Sequence, residues 1–447
     1  MNMNEENFKE TEIGLIPEDW DFVKLEKLIN IKHGFAFKGE YFSDEETPNI
    51  LLTPGNFKIG GGFNDSKFKY YNGEIPEDYV LNEGDIIVSM TDLSKEGDTL
   101  GYSAKIPFLE GKKFLHNQRL GLIIPISEEA YPDFIYWKLR DRNYRHWVLA
   151  SASGTTVKHT SPSRILGFEF ALPPRNEQKK IASFLSVLDY KIELNHKMNQ
   201  TLEAIGQAIF RHWFVHFEFP DEEGRPYKSS DGEMVDSELG QIPVGWEVQE
   251  IGKVIETTGG GTPSTKKEEY WEKGDIQWFS PRDITANNQI FITESEKKIN
   301  DSGLKNSSAR IFPPHSLMMT SRATVGELSI NTTEACTNQG FITCIPNEIL
   351  SIFYLYFWIK MNKENIISLA SGSTFREINK STFRSLKILI PDKNIIKLYN
   401  KLINPLFSQI ESNQTQNIKL SKIRDSLLPK LMSGKIRIKP PKEATIK

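Results

Sequence analysis

The stretch Glu12-Ile13-Gly14-Leu15-Ile16-Pro17-Glu18-Asp19-Trp20 returns as Glu238-Leu239-Gly240-Gln241-Ile242-Pro243-Val244-Gly245-Trp246. The offset is 243 − 17 = 226 residues. The residues just after each tryptophan match in character, with Leu25, Lys27, Leu28 and Ile29 set against Ile251, Lys253, Val254 and Ile255. Further on, Asn117-Gln118 returns as Asn338-Gln339. Ser153-Gly154-Thr155-Thr156 returns as Ser371-Gly372-Ser373-Thr374, now at 371 − 153 = 218. Such a repeat is far longer than a solenoid period. Shared ends with middles of different length and composition indicate one scaffold carrying two different binding surfaces.

Each copy closes on a long helical stripe. After Pro173-Pro174, residues 176–214 contain no proline, and Ile181, Leu188, Leu202 and Ile209 share one heptad position. Leu185, Ile192 and Trp213 fall on a neighbouring one. In the second copy Tyr399, Leu406, Leu420 and Leu427 hold the equivalent places, flanked by Ile403, Ile410 and Leu431. Heptads sustained this long predict a coiled coil, with a kink at Pro405. The middle seam position is Asn195 in one helix and Asn413 in the other. Antiparallel packing would bring these two asparagines together at the centre of the rod, where they would fix the register. At ~1.5 Å per residue, about 36 helical residues span ~54 Å.

The expected fold is mixed α and β: two similar globular domains, each followed by a long coiled-coil helix, in an internal pseudo-two-fold repeat. The divisions are residues 1–175 for the first domain, 176–215 for a central spacer helix and 216–236 for a polar linker. Residues 237–392 form the second domain, 393–434 a distal spacer helix and 435–447 a basic tail. Within the domains, short runs such as Asp85-Ile86-Ile87-Val88 and Gly340-Phe341-Ile342-Thr343 read as strands.

Composition narrows the class. A chain of 447 residues suits two or three domains. The segment MNMNEENFKE lacks an apolar core, and the apolar run at 349–359 is about half the ~20 residues of a membrane span. The expectation is a cytoplasmic protein without a membrane partner. Cys336 and Cys344 read as buried free thiols. The net charge of −4 is unsuited to gripping DNA unaided. Residues 393–447 nevertheless carry twelve Lys/Arg against three Asp/Glu, and residues 1–30 three against eight.

No catalytic constellation stands out. The Pro-Pro pairs at 173–174, 313–314 and 440–441 lack the Asp/Asn-Pro-Pro-aromatic form of an amino-methyltransferase loop. Gly259-Gly260-Gly261-Thr262-Pro263 lacks phosphate-loop spacing, and Pro263 removes a backbone donor, so a tight turn is expected there. His212 and His216 are four apart without a third ligand, and no metal is expected. These residues leave three readings open: a DNA-reading subunit, a coiled-coil adaptor binding only protein, or a DNA-modifying enzyme with an unrecognised centre.

The ordered, duplicated motifs resemble the DNA specificity subunits of type I restriction–modification systems. They are the two Ile-Pro-x-x-Trp openings, the two Ser-Gly-Thr/Ser-Thr segments, the Leu-Pro-Pro-Arg-Asn-Glu-Gln run at 172–178, and Arg211-His212-Trp213-Phe214 leading into Phe219-Pro220. One departure is Pro391-Asp392-Lys393-Asn394 at the start of the second helix. The resemblance implies a non-catalytic subunit whose two target recognition domains each read half of a split double-stranded DNA target. It implies that the two long coiled-coil helices pair antiparallel as a spacer of ~16 base-pair steps at ~3.4 Å each, on which two modification subunits, holding S-adenosylmethionine, dock. Restriction subunits would supply ATP- and Mg-dependent translocation and cleavage.

Base or phosphate contacts are sought among cationic, polar and aromatic groups of the divergent middles. In the first domain these are Lys67, Lys69, Tyr70, Lys158 and His159. In the second they are Lys266, Lys267, Trp278, Arg282, Arg322 and Arg376. Arg322 and Arg376 are preferred, because each lies in a segment shared by position between the copies.

Overall fold

A computed structural model describes residues 8–287, 289–372 and 376–438. Ser373, Thr374 and most of the basic tail lie outside the described residues. Two compact units emerge, one comprising Met1–Ile192 with Lys419–Lys447 and the other Glu193–Ile418.

In the first unit, strands Ser103–Lys105, Ile86–Ser89, Leu120–Pro125 and Ile29–His33 form a four-stranded antiparallel sheet in that order. A five-stranded sheet runs Phe42–Ser43, Lys69–Tyr71, Asn49–Leu51, Lys113–Leu115, Val80–Leu81. In the second unit the counterpart of the four-stranded sheet has five strands, running Glu256–Thr258, Phe341–Ile345, Leu317–Thr320, Leu328–Asn331, Phe291–Ile292. Ile86–Ser89 and Leu317–Thr320 are buried at every position, which fits central strands covered on both faces. The apolar run near 349–359 becomes helix Ile352–Met361, with Tyr354 through Ile359 all buried in the second unit. Ser351 caps it by accepting from the Tyr354 amide at 3.4 Å. Among the described residues, no helix is long and apolar enough to cross a membrane. Both cysteines are buried, and burial pushes their thiols up to about 12.

The long stripes are the central helix Arg175–Phe214 and the distal helix Lys393–Met432. The distal helix continues through Pro405. In the first unit Ile181, Ala182 and Leu185 pack in one cluster with Leu428, Leu431 and Met432. In the second unit Phe210 and Trp213 meet Tyr399, with ring centroids 6.3 and 6.1 Å apart. Low numbers on one helix thus meet high numbers on the other, so the two run antiparallel. The seam departs from strict heptads at Gly206. A Cβ there would lie 2.8 Å from the Phe357 ring, so the glycine admits an aromatic side chain from helix Ile352–Met361. Phe210 is buried in the core there, and Ile209 packs against the same cluster while only partly buried.

The expected Asn195–Asn413 link is corrected by one helical turn. Asn195 donates to Asn417 Oδ1 and Gln416 Oε1, each at 2.8 Å. Asn413 donates instead to Asn199 Oδ1 at 2.8 Å. Both asparagines are buried, so a polar layer does cross the seam, but through partners four residues along each helix.

The motifs of the repeat are mostly clips. Trp20 is fully buried, and its Nε1–H donates to Glu177 Oε2 at 3.1 Å. Arg437, just past the distal helix, donates to both Asp19 oxygens at 2.8 and 2.7 Å and to Glu177. In the second unit Trp246 packs on Phe214 and Phe219, centroids 5.9 and 4.8 Å away, at the end of the central helix. Each Ile-Pro-x-x-Trp motif therefore closes on the helix end of the other copy, which is why each compact unit draws on both copies. Phe219 is buried in this way, although the polar stretch 219–235 to which it belongs reads in sequence as an exposed connection. Gln178 is buried and ties the first helix turn to the Glu129 and Pro173 carbonyls at 2.9 and 2.8 Å. The second helix lacks that run and starts instead on Asp392, whose Oδ1 accepts from the Asn394 amide at 2.7 Å.

Candidate nucleic-acid interface

Strand pairing brings the remaining repeated motifs to one end of the main sheet in each unit. In the first, Leu120 pairs with Ser89, placing the Asn117-Gln118 turn beside the exit of Ile86–Ser89. The Met90 amide then donates to the Arg119 carbonyl at 2.9 Å, and Thr160 donates to the Met90 carbonyl at 3.0 Å. Thr91–Asp92 pairs with Lys158–His159, and His159 exchanges two backbone hydrogen bonds with Ser153. In the second unit Thr320 pairs with Phe341, Ser321 donates to Gly340 at 2.7 Å and Ile378 to Ser321 at 3.1 Å. Arg322 bridges Glu377, which exchanges two hydrogen bonds with Ser371. The two frames correspond bond for bond.

Glycines make this convergence possible. A Cβ on Gly34 would lie 2.0 Å from the Asn117 carbonyl oxygen, and one on Gly260 2.0 Å from that of Thr337. Their numbers differ by 260 − 34 = 226, the offset of the opening motif. The Gly-rich run at 259–261 is therefore a close backbone approach, the counterpart of Gly34. The Asn of each turn caps the amide two residues on, Asn117 to Arg119 at 3.1 Å and Asn338 to Gly340 at 2.8 Å. Gln118 and Gln339 are left exposed at the tip. The duplication marks both glutamines in the sequence, yet their place beside the other motifs follows only from the strand pairing.

On this common frame the side chains differ. Thr91 Oγ1 lies 3.2 Å from His159 Nδ1 in the first unit. At the matching place in the second, Arg322 Nε donates to Glu377 Oε1 at 2.7 Å. Lys158 and Arg376, one residue earlier, are both cationic. The neighbouring loops also diverge. Burial opposes ionisation of Asp92, yet hydrogen bonds from Thr99 and Ser94 outweigh it and hold the carboxyl below its usual range. Asp92 thereby organises the 94–99 loop, and the Arg145 guanidinium donates to the Gly97 and Leu100 carbonyls.

The other candidates separate by burial. Lys67 and Lys69 are exposed, with Lys69 Nζ 4.0 Å from Asp44, while Tyr70 is half-buried under Lys112. Lys266, Lys267 and Arg282 are exposed. Lys267 donates to Tyr270 at 3.0 Å, and that bond raises its pKa. Thr262 donates to Gln339 at 2.6 Å, drawing the Lys266–Lys267 loop toward the Asn-Gln turn. Trp278 is a correction. It is 7% exposed, its Nε1–H donates to the Gly261 carbonyl at 2.9 Å, and it packs edge-on against Trp271, so it belongs to the core. Among the described residues, no group of three or more His, Cys, Asp or Glu side chains could hold a metal ion.

Comparison with known proteins agrees with this architecture. The family model for the type I restriction modification DNA specificity domain matches twice, at residues 17–204 and 243–422. The chain is 26% identical to the type I restriction enzyme MjaIX specificity subunit of Methanocaldococcus jannaschii over 442 residues, 97% of either chain. It is 29% identical to the HindI specificity subunit of Haemophilus influenzae over 369 residues, 70% of this chain and 80% of that one. The crystal structure of the type I restriction–modification S subunit from M. genitalium has a similar fold, with a TM-score of 0.55 at 17% identity, covering 92% of this chain and 96% of that one.

Proposed function

This chain belongs to the type I restriction–modification DNA specificity family, and we propose that it reads a bipartite DNA target, one half through each domain. The observation that carries this reading is the pair of matched frames with unlike side chains, Thr91–His159 in one and Arg322–Glu377 in the other. A shared backbone places each reader against its half-site, and the side chains on it specify the bases.

On this reading the chain itself makes and breaks no bonds. Two modification subunits dock on the long helices and bind S-adenosylmethionine, while restriction subunits use ATP and magnesium. Exposed Phe184, Val187 and Tyr190 on the central helix and Leu398 and Leu402 on the distal helix support such docking. The net charge of −4 supports it too, because partners must then share the neutralisation of phosphates.

The test is DNA binding with and without the modification subunits. The isolated chain is expected to bind weakly and with steep salt dependence, and the assembled complex to bind its own target tightly. Nanomolar sequence-specific binding by the chain alone at physiological salt would count against partner dependence. Failure of the assembled complex to discriminate sequences would favour a protein-only adaptor.

A further inference from the structure

We propose that Arg322 reads a guanine in the half-site of the second domain, with Glu377 holding its guanidinium in place. This rests on the DNA-reading assignment above and deepens it to one side chain and one base.

The geometry is that of a supported fork. Arg322 and Glu377 face each other across a backbone bridge, and both remain well exposed, with side chains 50% and 40% accessible. The carboxylate takes Nε, at 2.7 Å. Among the described residues neither Nη group has a hydrogen-bond partner, so two parallel donors stay available. That is the set which matches the O6 and N7 acceptors of guanine in the major groove. The backbone here is constrained as well. Ala323 adopts a φ of 60°, and its amide donates to the Arg376 carbonyl at 3.2 Å. A non-glycine residue in that conformation is held at a cost, and such strain gathers at functional loops.

Comparison of the two copies separates base contact from phosphate contact. Phosphates are present in every half-site, so a phosphate ligand should recur on both frames. The cation at Lys158 and Arg376 recurs. The pair one residue later does not, being Thr91–His159 in one copy and Arg322–Glu377 in the other. An exposed carboxylate facing DNA is repelled by phosphates, and orienting an arginine gives it a reason to be there.

The test is methylome sequencing of cells carrying the whole complex with Arg322→Lys, Glu377→Ala or Arg376→Ala. Lysine keeps the charge but loses the fork. Arg322→Lys should lower discrimination at one guanine of the second half-site by about 10- to 100-fold. Glu377→Ala should relax the same position. Arg376→Ala should lower methylation evenly without altering the motif. The first half-site is an internal control for folding and assembly and should not change, and melting temperature checks the same point. Evenly reduced methylation with an intact motif in Arg322→Lys would identify a phosphate contact and overturn the proposal. A wild-type methylome without a two-part motif would instead overturn the broader reading.

Discussion

Asn413 donates its side-chain amide to Asn199 Oδ1 at 2.8 Å across the seam of the two long helices, with both residues buried. Gln409 donates in turn to Asn413 Oδ1 at 2.8 Å, so the contact belongs to a small polar network. Hydrogen bonds in such a place are directional, whereas the apolar contacts around them tolerate sliding.

Asn413→Ala should therefore cost about 1–3 kcal/mol, because Asn199 Oδ1 is left buried without its donor. The double change Asn199→Leu with Asn413→Leu removes both polar groups and should be nearly neutral or stabilising. Urea unfolding of the two variants measures the difference. Equal loss in both would show that the asparagines act through shape rather than through their bond.

Trp20→Ala should cost roughly 3–5 kcal/mol, since a fully buried ring that joins the first domain to the helix ends is removed. Arg437→Ala breaks the Asp19 and Glu177 contacts at a more exposed place and should cost less. The hydrogen bonds from Arg437 also hold the Asp19 carboxyl below its ordinary value of 3.8. That contribution is present above this value and is lost as the pH falls further. Thermal melts at neutral and acidic pH would show the Arg437→Ala penalty shrinking in acid.

These clips show which parts of the structure are legible in the sequence. The duplicated Ile-Pro-x-x-Trp motif identifies two copies, and apolar spacing identifies two long helices. Which partner each tryptophan takes is not encoded locally, because Trp20 meets Arg437 only through the return of the distal helix. Counting one heptad stripe selects Asn195 and Asn413 as facing residues. Asn199 lies on the neighbouring stripe with Leu185 and Ile192, and the antiparallel seam sets that stripe of the central helix against the Asn413 stripe of the distal one. Trp278 lies among surface cations in sequence, yet Trp271 and the Gly261 carbonyl enclose it. The Arg322–Arg376 neighbourhood is legible for the opposite reason, since both lie in segments the repeat preserves.

His116 should make stability depend on pH. It is buried, with Nε2 3.0 Å from the Leu120 carbonyl. Burial, with lesser help from Lys32 and His33, lowers its pKa from 6.5 to about 4. The unfolded chain binds a proton between those values while the folded chain does not. Stability is then full above about 6.5 and falls toward pH 4, by ~3 kcal/mol at the limit. His116→Gln should flatten this slope in urea midpoints taken at pH 7 and 4.5, and an unchanged slope would point to other groups.

Gly34→Ala and Gly260→Ala should each distort one Asn-Gln turn, because the new Cβ lands 2.0 Å from a carbonyl oxygen. About 1–3 kcal/mol of destabilisation is expected, as for other overpacked sites. In the assembled complex each change should weaken recognition of one half-site and spare the other. Footprints in which either variant disturbs both halves equally would argue against independent frames.

The most direct measurement of the central claim is methylome sequencing of a chimera in which residues 21–172 come from a relative with a different target. Trp20 and the long helices stay in place, so the clip on Glu177 and the helix seam are kept. Two independent readers predict a hybrid motif, with one half replaced by the donor's and the other unchanged. A motif altered in both halves, or unchanged in both, would contradict one reader per domain.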